Sequence, residues 1–216
     1  MQKVVVFDMD GTLIDSKKDI TISINYVREK NHSLPPLSEA FVVEAINLHE
    51  RNLPKLFYNT QTYEQRDREI FEKHYKQQCI EHSYLYDGVY EMLQTLYEHK
   101  VKMGVATNAP TLFAKTMLQH LHVSDFFEEI VGADQVKVSK PDPEMLYKIL
   151  DACDYDASCD YGWMVGDNSK DMQSGVAAGL EPIFVTWGFS KESEEFDYVS
   201  TPEELVKKVL SGKTDV

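Results

Sequence analysis

The sequence has no long hydrophobic run and few cysteines. None of its apolar stretches approaches the roughly 20 residues that a membrane-spanning helix needs, so a membrane protein is not expected. The three cysteines, Cys79, Cys153 and Cys159, are odd in number and lack the Cys-x-x-Cys spacing of metal or redox sites. Disulfide and zinc frameworks are therefore not expected, and a reducing cytoplasm is the natural location. The chain enters its first apolar run almost at once, so we expect no signal or transit segment.

Basic residues are scarce relative to acidic ones. Lys and Arg number 22 against 36 Asp and Glu, so the formal net charge is −14 at pH 7. A surface of this sign repels nucleic acids and anionic membranes, and neither is expected as a partner. It also repels an anionic substrate, so a site for one must be made locally positive by a metal ion, a lysine or a helix N-terminus.

The most informative segment starts at Val4 and reads Val-Val-Val-Phe-Asp-Met-Asp-Gly-Thr. The apolar run predicts a strand in the middle of a parallel sheet, with Asp8 at its carboxyl end, where open α/β sheets place their ligands. Gly11 favours a turn that brings Asp8 and Asp10 to one crevice. Two carboxylates this close repel each other unless a cation lies between them, which favours a divalent-metal site with one carboxylate as nucleophile. The alternative is a solvated Asp-Gly turn.

Three later segments place polar side chains at the ends of predicted elements. Thr107 and Asn108 end a second strand, Lys140 precedes a helix, and Asp167 and Asp171 follow a third strand. Each segment has an ordinary structural explanation as a helix cap, a surface lysine or acidic residues at a helix N-terminus. Four such segments in one chain of alternating strands and helices favour a single shared site.

The organisation of the chain has two parts. Strands are predicted at residues 3–7, 101–107, 128–132, 162–165 and 182–185, and helices at residues 109–121, 143–152, 169–178 and 202–210. Strands that alternate with helices through short connections predict an α/β fold with a Rossmann-like, doubly wound parallel sheet. Residues 1–15 and 85–216 would form this core, and the tail 212–216 is expected to fray.

Residues 16–84 interrupt the alternation and predict an inserted helical cap. They contain no convincing strand and are rich in Glu, Lys, Gln and Tyr at helical spacing, which predicts about four helices. The longest such run covers residues 63–81, where Ile70, Phe71, Tyr75 and Cys79 form a candidate buried stripe.

The four polar segments resemble, in order and over nearly the whole chain, the motifs of the haloacid dehalogenase-like hydrolase superfamily. Asp8-x-Asp10-Gly-Thr matches the first motif, Thr107-Asn108 the second, Lys140 the third, and Gly166-Asp167-x-x-x-Asp171 the fourth. An insert directly after the first motif is similar to the C1-type cap of that family. Finer likenesses to its phosphoglycolate-phosphatase-like branch are Tyr86-Asp87-Gly88-Val89, Val185-Thr186-Trp187-Gly188, Phe196-Asp197-Tyr198-Val199 and Thr201-Pro202-Glu203-Glu204-Leu205.

The resemblance implies a Mg²⁺-dependent phosphatase that acts on a small phosphorylated metabolite through an aspartyl-phosphate. Asp8 would be the nucleophile and a metal ligand, and Asp10 would be the general acid and base. The backbone carbonyl of Asp10 and the carboxylate of Asp167 would complete the protein ligands. Asp171 would bind metal waters or orient Lys140. We expect a monomer or a weak homodimer.

The resemblance also implies how the phosphate is held. Thr107 and the backbone amide of Asn108 would bind the phosphoryl oxygens, and Lys140 would offset the negative charge of the phosphate and of Asp8. In the cap, Arg51 could bind a substrate carboxylate or second phosphate bidentately, or it could be a rim arginine paired with Glu50.

Several other activities stay open at this level. Asp10 sets the chain apart from family members that act on carbon and from transport ATPases, which carry Thr at that position. A sugar phosphomutase shares this core and cap type. A phosphonate hydrolase would use a cap lysine, for which Lys17, Lys18 and Lys30 are available. A non-catalytic, phosphate-responsive binding protein is the remaining alternative.

Overall fold

The computed structural model of the protein describes residues 1–48, 52–190 and 196–212. Internal contacts group the chain into two units: the core unit, Met1–Ile14 with Leu85–Val216, and the helical unit, Asp15–Tyr84. No helix in the described part of the chain is long and apolar enough to cross a membrane.

The strands within the described ranges are β1 Lys3–Phe7, β2 Ile14–Asp15, β3 Tyr84–Leu85, β4 Lys102–Thr107, β5 Glu129–Gly132, β6 Tyr161–Gly166, β7 Glu181–Val185 and β8 Tyr198–Val199. Six of them form one sheet in the order β5-β4-β1-β6-β7-β8, and each neighbouring pair is parallel. β2 and β3 form a separate two-stranded sheet. The predicted α/β fold with a parallel sheet is confirmed.

The helices within the same ranges are α1 Lys17–His32, α2 Glu39–Asn47, α3 Leu53–Tyr58, α4 Gln65–Gln78, α5 Val89–Glu98, α6 Thr111–His120, α7 Glu144–Ala152, α8 Ser169–Ala177 and α9 Pro202–Ser211. Helices α5 to α9 belong to the core unit and α1 to α4 to the helical unit.

β1 lies in the middle of the sheet because its side chains are apolar on both faces. Val4, Val5, Val6 and Phe7 are all fully buried. Val4 and Val6 pack with side chains of α7 in one core cluster. Since successive side chains of a strand point to opposite faces, Val5 and Phe7 are buried on the other face. Both faces of the sheet are therefore covered, as a doubly wound sheet requires.

The structure differs from the sequence prediction mainly in α5. This helix was not predicted, although Val89, Met92, Leu93 and Leu96 have the spacing of one helix face and are buried together. The short edge strand β8 was also not predicted. The other predicted core elements exist, with ends displaced by a residue or two. For example, α6 begins at Thr111 because Pro110 is its N-cap residue.

The helical unit has its own small core. Its central cluster comprises Ile24, Val27, Val42, Ala45, Phe57 and Tyr58. The predicted stripe on α4 is present: Tyr75 and Cys79 are buried, and Ile70 and Phe71 pack partly buried against the cluster. The run at residues 63–81 is not the longest helix, because α1 has 16 residues and α4 has 14. β-Branched residues such as Thr21 weaken the helical signal of α1, but its packing against α4 overrides that propensity.

Candidate active site

Three of the predicted site residues lie at one edge of the sheet. Asp8 follows β1, Thr107 ends β4 and Asp167 follows β6. Because β1 lies between β4 and β6 and all three strands are parallel, their carboxyl ends meet. The chain passes from β1 to one side of the sheet and later returns to the other side, so this edge is a topological switch point. Open α/β sheets bind their ligands at such points.

A tight turn follows Asp8. The amide of Asp8 still donates to the carbonyl of Val165, at 2.8 Å, which keeps Asp8 in register with β6. The chain then turns, because the carbonyl of Met9 accepts hydrogen bonds from the amides of Leu13 and Ile14 at 2.9 and 3.0 Å. Gly11 has a φ of +90°, a left-handed conformation that glycine adopts readily. A Cβ atom at Gly11 would also come within 2.5 Å of the Asp167 carboxylate.

Lys140 is buried between two of the acidic residues. Only 4% of its surface is exposed. Its Nζ lies 2.6 Å from Oδ1 of Asp8 and 2.7 Å from Oδ1 of Asp171, and it donates to the carbonyl of Ala106 at 2.6 Å. Burial alone would lower the pKa of Lys140, but the charges of Asp171 and Asp8 outweigh burial and raise it. The lysine is therefore a fixed positive charge in the site.

Asn108 positions the backbone of Lys140. The side-chain amide of Asn108 donates to the carbonyl of Lys140 at 3.2 Å, and its oxygen accepts from the Lys140 amide at 3.1 Å. The hydroxyl oxygen of Thr107 accepts a hydrogen bond from the amide of Ala109 at 3.1 Å. The Asn108 side chain thus links the second and third predicted motif segments.

Three carboxylates form one buried group. Oxygen atoms of Asp8, Asp167 and Asp171 all lie within 4.8 Å of one another. Burial, followed by the charges of Asp8 and Asp171, raises the pKa of Asp167 well above its usual value. Burial and the charge of Asp8 also raise the pKa of Asp171, with Lys140 opposing the shift. Loss of solvation on burial is the largest cause of both pKa shifts, and repulsion between the neighbouring acids adds to it.

The donor set fits a divalent cation. One lysine opposes three buried carboxylates, so the fully ionised group carries a net charge of 1 − 3 = −2. Buried charge of this size is costly unless it is paired or coordinates a metal ion. The donors are all carboxylate oxygens, which hard divalent cations prefer.

The remaining predicted site residues are not part of this carboxylate group. Asp10 lies in the turn after β1 and is partly buried. Arg51 falls outside the described residues. Among the cap lysines, Lys17 binds Asp15, and this hydrogen bond raises the pKa of Lys17.

The sequence did not identify two further sets of contacts in the site. The hydroxyl of Thr12, fully buried, lies 3.5 Å from Oδ2 of Asp8. The backbone amides of Phe189 and Ser190 donate to Asp167. Thr12 follows Gly11 in the first motif segment, so its position was a usable signal. Backbone amides leave no signal in a sequence because nearly every residue has one.

Comparisons of the sequence and of the fold with known proteins agree on one family. Residues 5–185 match the haloacid dehalogenase-like hydrolases. The chain is 32% identical over 191 residues to an N-acetylmuramic acid 6-phosphate phosphatase of Pseudomonas aeruginosa, covering 87% of this chain and 83% of that protein. It is 30% identical over 210 residues to a phosphoglycolate phosphatase of Aquifex aeolicus, covering 95% of each. A crystal structure described as a predicted phosphatase from Clostridium acetobutylicum has the same fold, with a TM-score of 0.81, 24% identity and coverage of 98% of this chain and 99% of that one.

Proposed function

Because the chain belongs to the haloacid dehalogenase-like hydrolases, we propose that it is a Mg²⁺-dependent phosphatase acting on small phosphate monoesters. The observation that carries the proposal is the buried group of Asp8, Asp167 and Asp171, with Lys140 held between two of them. Such a group can hold a divalent cation. Asp8, at the end of the central strand, would also act as the nucleophile. The relatives named phosphatases support the same reaction class.

The names of the relatives also suggest a substrate class. N-acetylmuramic acid 6-phosphate and phosphoglycolate differ in size, but each is a phosphate monoester that also carries a carboxylate. We therefore propose a phosphorylated carboxylic acid as the substrate. Arg51 is the residue that we propose to bind the carboxylate, because a guanidinium pairs with a carboxylate through two parallel hydrogen bonds.

Mg²⁺ would be held by the carboxylates of Asp8 and Asp167 and the backbone carbonyl of Asp10. When bound, it would supply positive charge beside the phosphoryl oxygens. The choice of Mg²⁺ among divalent cations rests on its preference for oxygen ligands and on its role in phosphoryl transfer.

The chain's own residues would carry out two linked displacements. An oxygen of Asp8 attacks phosphorus, the bond from phosphorus to the ester oxygen breaks, and Asp10 gives a proton to the departing alkoxide. Asp10 then takes a proton from a water molecule whose oxygen attacks the aspartyl-phosphate. Inorganic phosphate leaves and Asp8 is regenerated, so Asp10 ends each cycle in its starting form.

Thr107, the backbone amide of Asn108 and Lys140 would hold the phosphoryl group. Lys140 is already fixed beside Asp8, so its charge requires no rearrangement as negative charge accumulates during attack. The Asn108 side chain would keep that lysine in place through the backbone of Lys140.

We also propose a reducing, cytoplasmic location. All three cysteines are free thiols, with Cys79 and Cys153 buried and Cys159 exposed. A protein made for an oxidising compartment would more commonly use its cysteines in disulfides.

The proposal is tested with protein stripped of metal by EDTA. Phosphate release from p-nitrophenyl phosphate, phosphoglycolate and N-acetylmuramic acid 6-phosphate is measured with no metal, with Mg²⁺ and with Ca²⁺. We expect release with Mg²⁺, less with Ca²⁺, whose coordination is larger and looser, and none without metal. Full activity in metal-free buffer would contradict the proposal. Isomerisation of a sugar phosphate without phosphate release would favour the phosphomutase alternative.

A further inference from the structure

The segment that follows β7 contacts the Asp167 carboxylate through its backbone. The amides of Phe189 and Ser190 both donate to Oδ2 of Asp167, at 2.8 and 3.2 Å. Both hydrogen bonds end on the same oxygen, so they fix the rotation of the carboxylate. Neither of the two amides binds the other oxygen, Oδ1. Asp167 is only 2% exposed, so solvent contributes little to its orientation.

Gly188 allows this segment to approach the turn after β1. A Cβ atom at position 188 would overlap the carbonyl oxygen of Gly11 and would come within 3.0 Å of Oδ2 of Asp167. The approach is backbone against backbone, so no side-chain rotation could relieve the clash. Any larger residue at this position must push the segment away from Gly11 and from Asp167 together.

Trp187 ties the same segment to the turn. Its indole Nε1 donates to the carbonyl of Thr12 at 3.0 Å. Thr12 is in turn 3.5 Å from Oδ2 of Asp8 through its hydroxyl. The segment Trp187-Gly188-Phe189-Ser190, here called the clamp loop, therefore contacts the turn after β1 at one end and Asp167 at the other.

We propose that the clamp loop is a positioning element that orients Asp167 as a cation ligand and sets its distance from Asp8. Outer contacts to a metal-binding carboxylate fix the orientation of that ligand and tune metal affinity. Two amide donors on Oδ2 do so without adding charge, and they leave Oδ1 available to a cation. The inference rests on the proposed function only in taking a divalent cation as the ligand of the three carboxylates.

The test compares the Mg²⁺ affinity of variants by isothermal titration and by the rise in melting temperature with added MgCl₂. In Gly188→Ala we expect the affinity to fall by about tenfold or more, because the amides of the clamp loop move off Asp167. In Trp187→Phe an aromatic ring is kept, although a smaller one, and the hydrogen bond to Thr12 is lost, so we expect a smaller fall in affinity with little change in the metal-free melting temperature. In both variants excess Mg²⁺ should restore kcat.

Gly179→Ala is the matched control. Gly179 has a positive φ, +76°, which Gly188 does not have, and a Cβ atom at position 179 meets nothing within 4 Å. This variant should lose stability through backbone strain while keeping the wild-type Mg²⁺ affinity. If Gly188→Ala does not fold, Trp187→Phe decides the question.

Wild-type Mg²⁺ affinity in folded Trp187→Phe and Gly188→Ala would overturn the proposal, as would a wild-type protein that binds no Mg²⁺. Failure of the proposed function gives a different result, namely a wild type that binds Mg²⁺ and hydrolyses no phosphate ester. In that case the affinities of the variants still decide the role of the clamp loop.

Discussion

The Nζ atom of Lys140 lies 2.6 Å from Oδ1 of Asp8, although the two residues are 132 positions apart in the chain. The same nitrogen lies 2.7 Å from Oδ1 of Asp171, so one lysine bridges the proposed nucleophile and the first turn of α8. A buried ion pair of this kind is weak grounds for stability, because desolvation offsets much of the attraction. We propose that its consequence is functional, since it would hold a positive charge where the phosphate arrives.

Asp8→Asn should abolish turnover and leave the fold intact. The amide has the same shape as the carboxylate but is neither a nucleophile nor an anionic ligand. We expect kcat to fall by at least about 10³-fold, or about 4 kcal/mol of barrier, with an unchanged circular dichroism spectrum. Asp154→Asn, which changes an exposed carboxylate, is the matched control and should retain activity. Asp8→Asn activity within about tenfold of wild type would remove Asp8 from the nucleophile role.

Asp10→Asn should slow both halves of the reaction, because in the proposed mechanism Asp10 first gives and then takes a proton. We expect kcat to fall by about 10² to 10⁴-fold, with KM for the substrate changed far less. Rapid quenching should trap phosphate on Asp8 if loss of the base slows hydrolysis more than loss of the acid slows attack. Turnover near the wild-type rate would refute the acid–base assignment.

Mg²⁺ should raise the melting temperature more at high pH than at low pH. Burial and neighbouring charge raise the pKa of Asp167 well above 3.8 and that of Asp171 to about 7. An acid whose pKa is raised by folding keeps its proton longer in the native state, so metal-free stability falls as the pH rises from about 4 through the raised pKa. Mg²⁺ needs ionised carboxylates and must displace these protons at low pH.

The measurement is the melting temperature with and without MgCl₂ at about pH 5.5 and about pH 8. The Mg²⁺-induced rise should be larger at the higher pH, and it should be absent in Asp167→Asn at both. An equal rise at both pH values in the wild type would show that no proton is displaced when the cation binds.

Arg51→Ala should change which ester is preferred. The expected loss in kcat/KM for phosphoglycolate is about tenfold or more, because the substrate carboxylate loses a bidentate partner. Hydrolysis of p-nitrophenyl phosphate, which has no carboxylate, should stay close to wild type. Arg66→Ala, an exposed arginine on α4, is the matched control and should alter neither. Equal losses for both substrates would give Arg51 a structural or catalytic role instead.

Much of the core could be predicted from local pattern. A central strand of a parallel sheet is buried on both faces, so it must be a continuous apolar run, and β1 was predicted at its observed bounds. Elements with weaker local signals were harder. β8 has only two residues, and its pairing with β7 exists only because the chain returns to that edge. The helices of the inserted unit were predicted only in number, apart from the run at residues 63–81.

The local sequence is enough to identify the residue types that we propose for the chemistry, because acidic, hydroxyl and lysine side chains at the ends of apolar runs are local features. How they come together is visible only in the folded chain: Lys140 lies between Asp8 and Asp171, and the backbone amides of Phe189 and Ser190 donate to Asp167. Strand order brings these distant segments together, and that order depends on the packing of the whole sheet. Backbone amides are nearly the same at every position, so only their placement in space can show which of them serve the site.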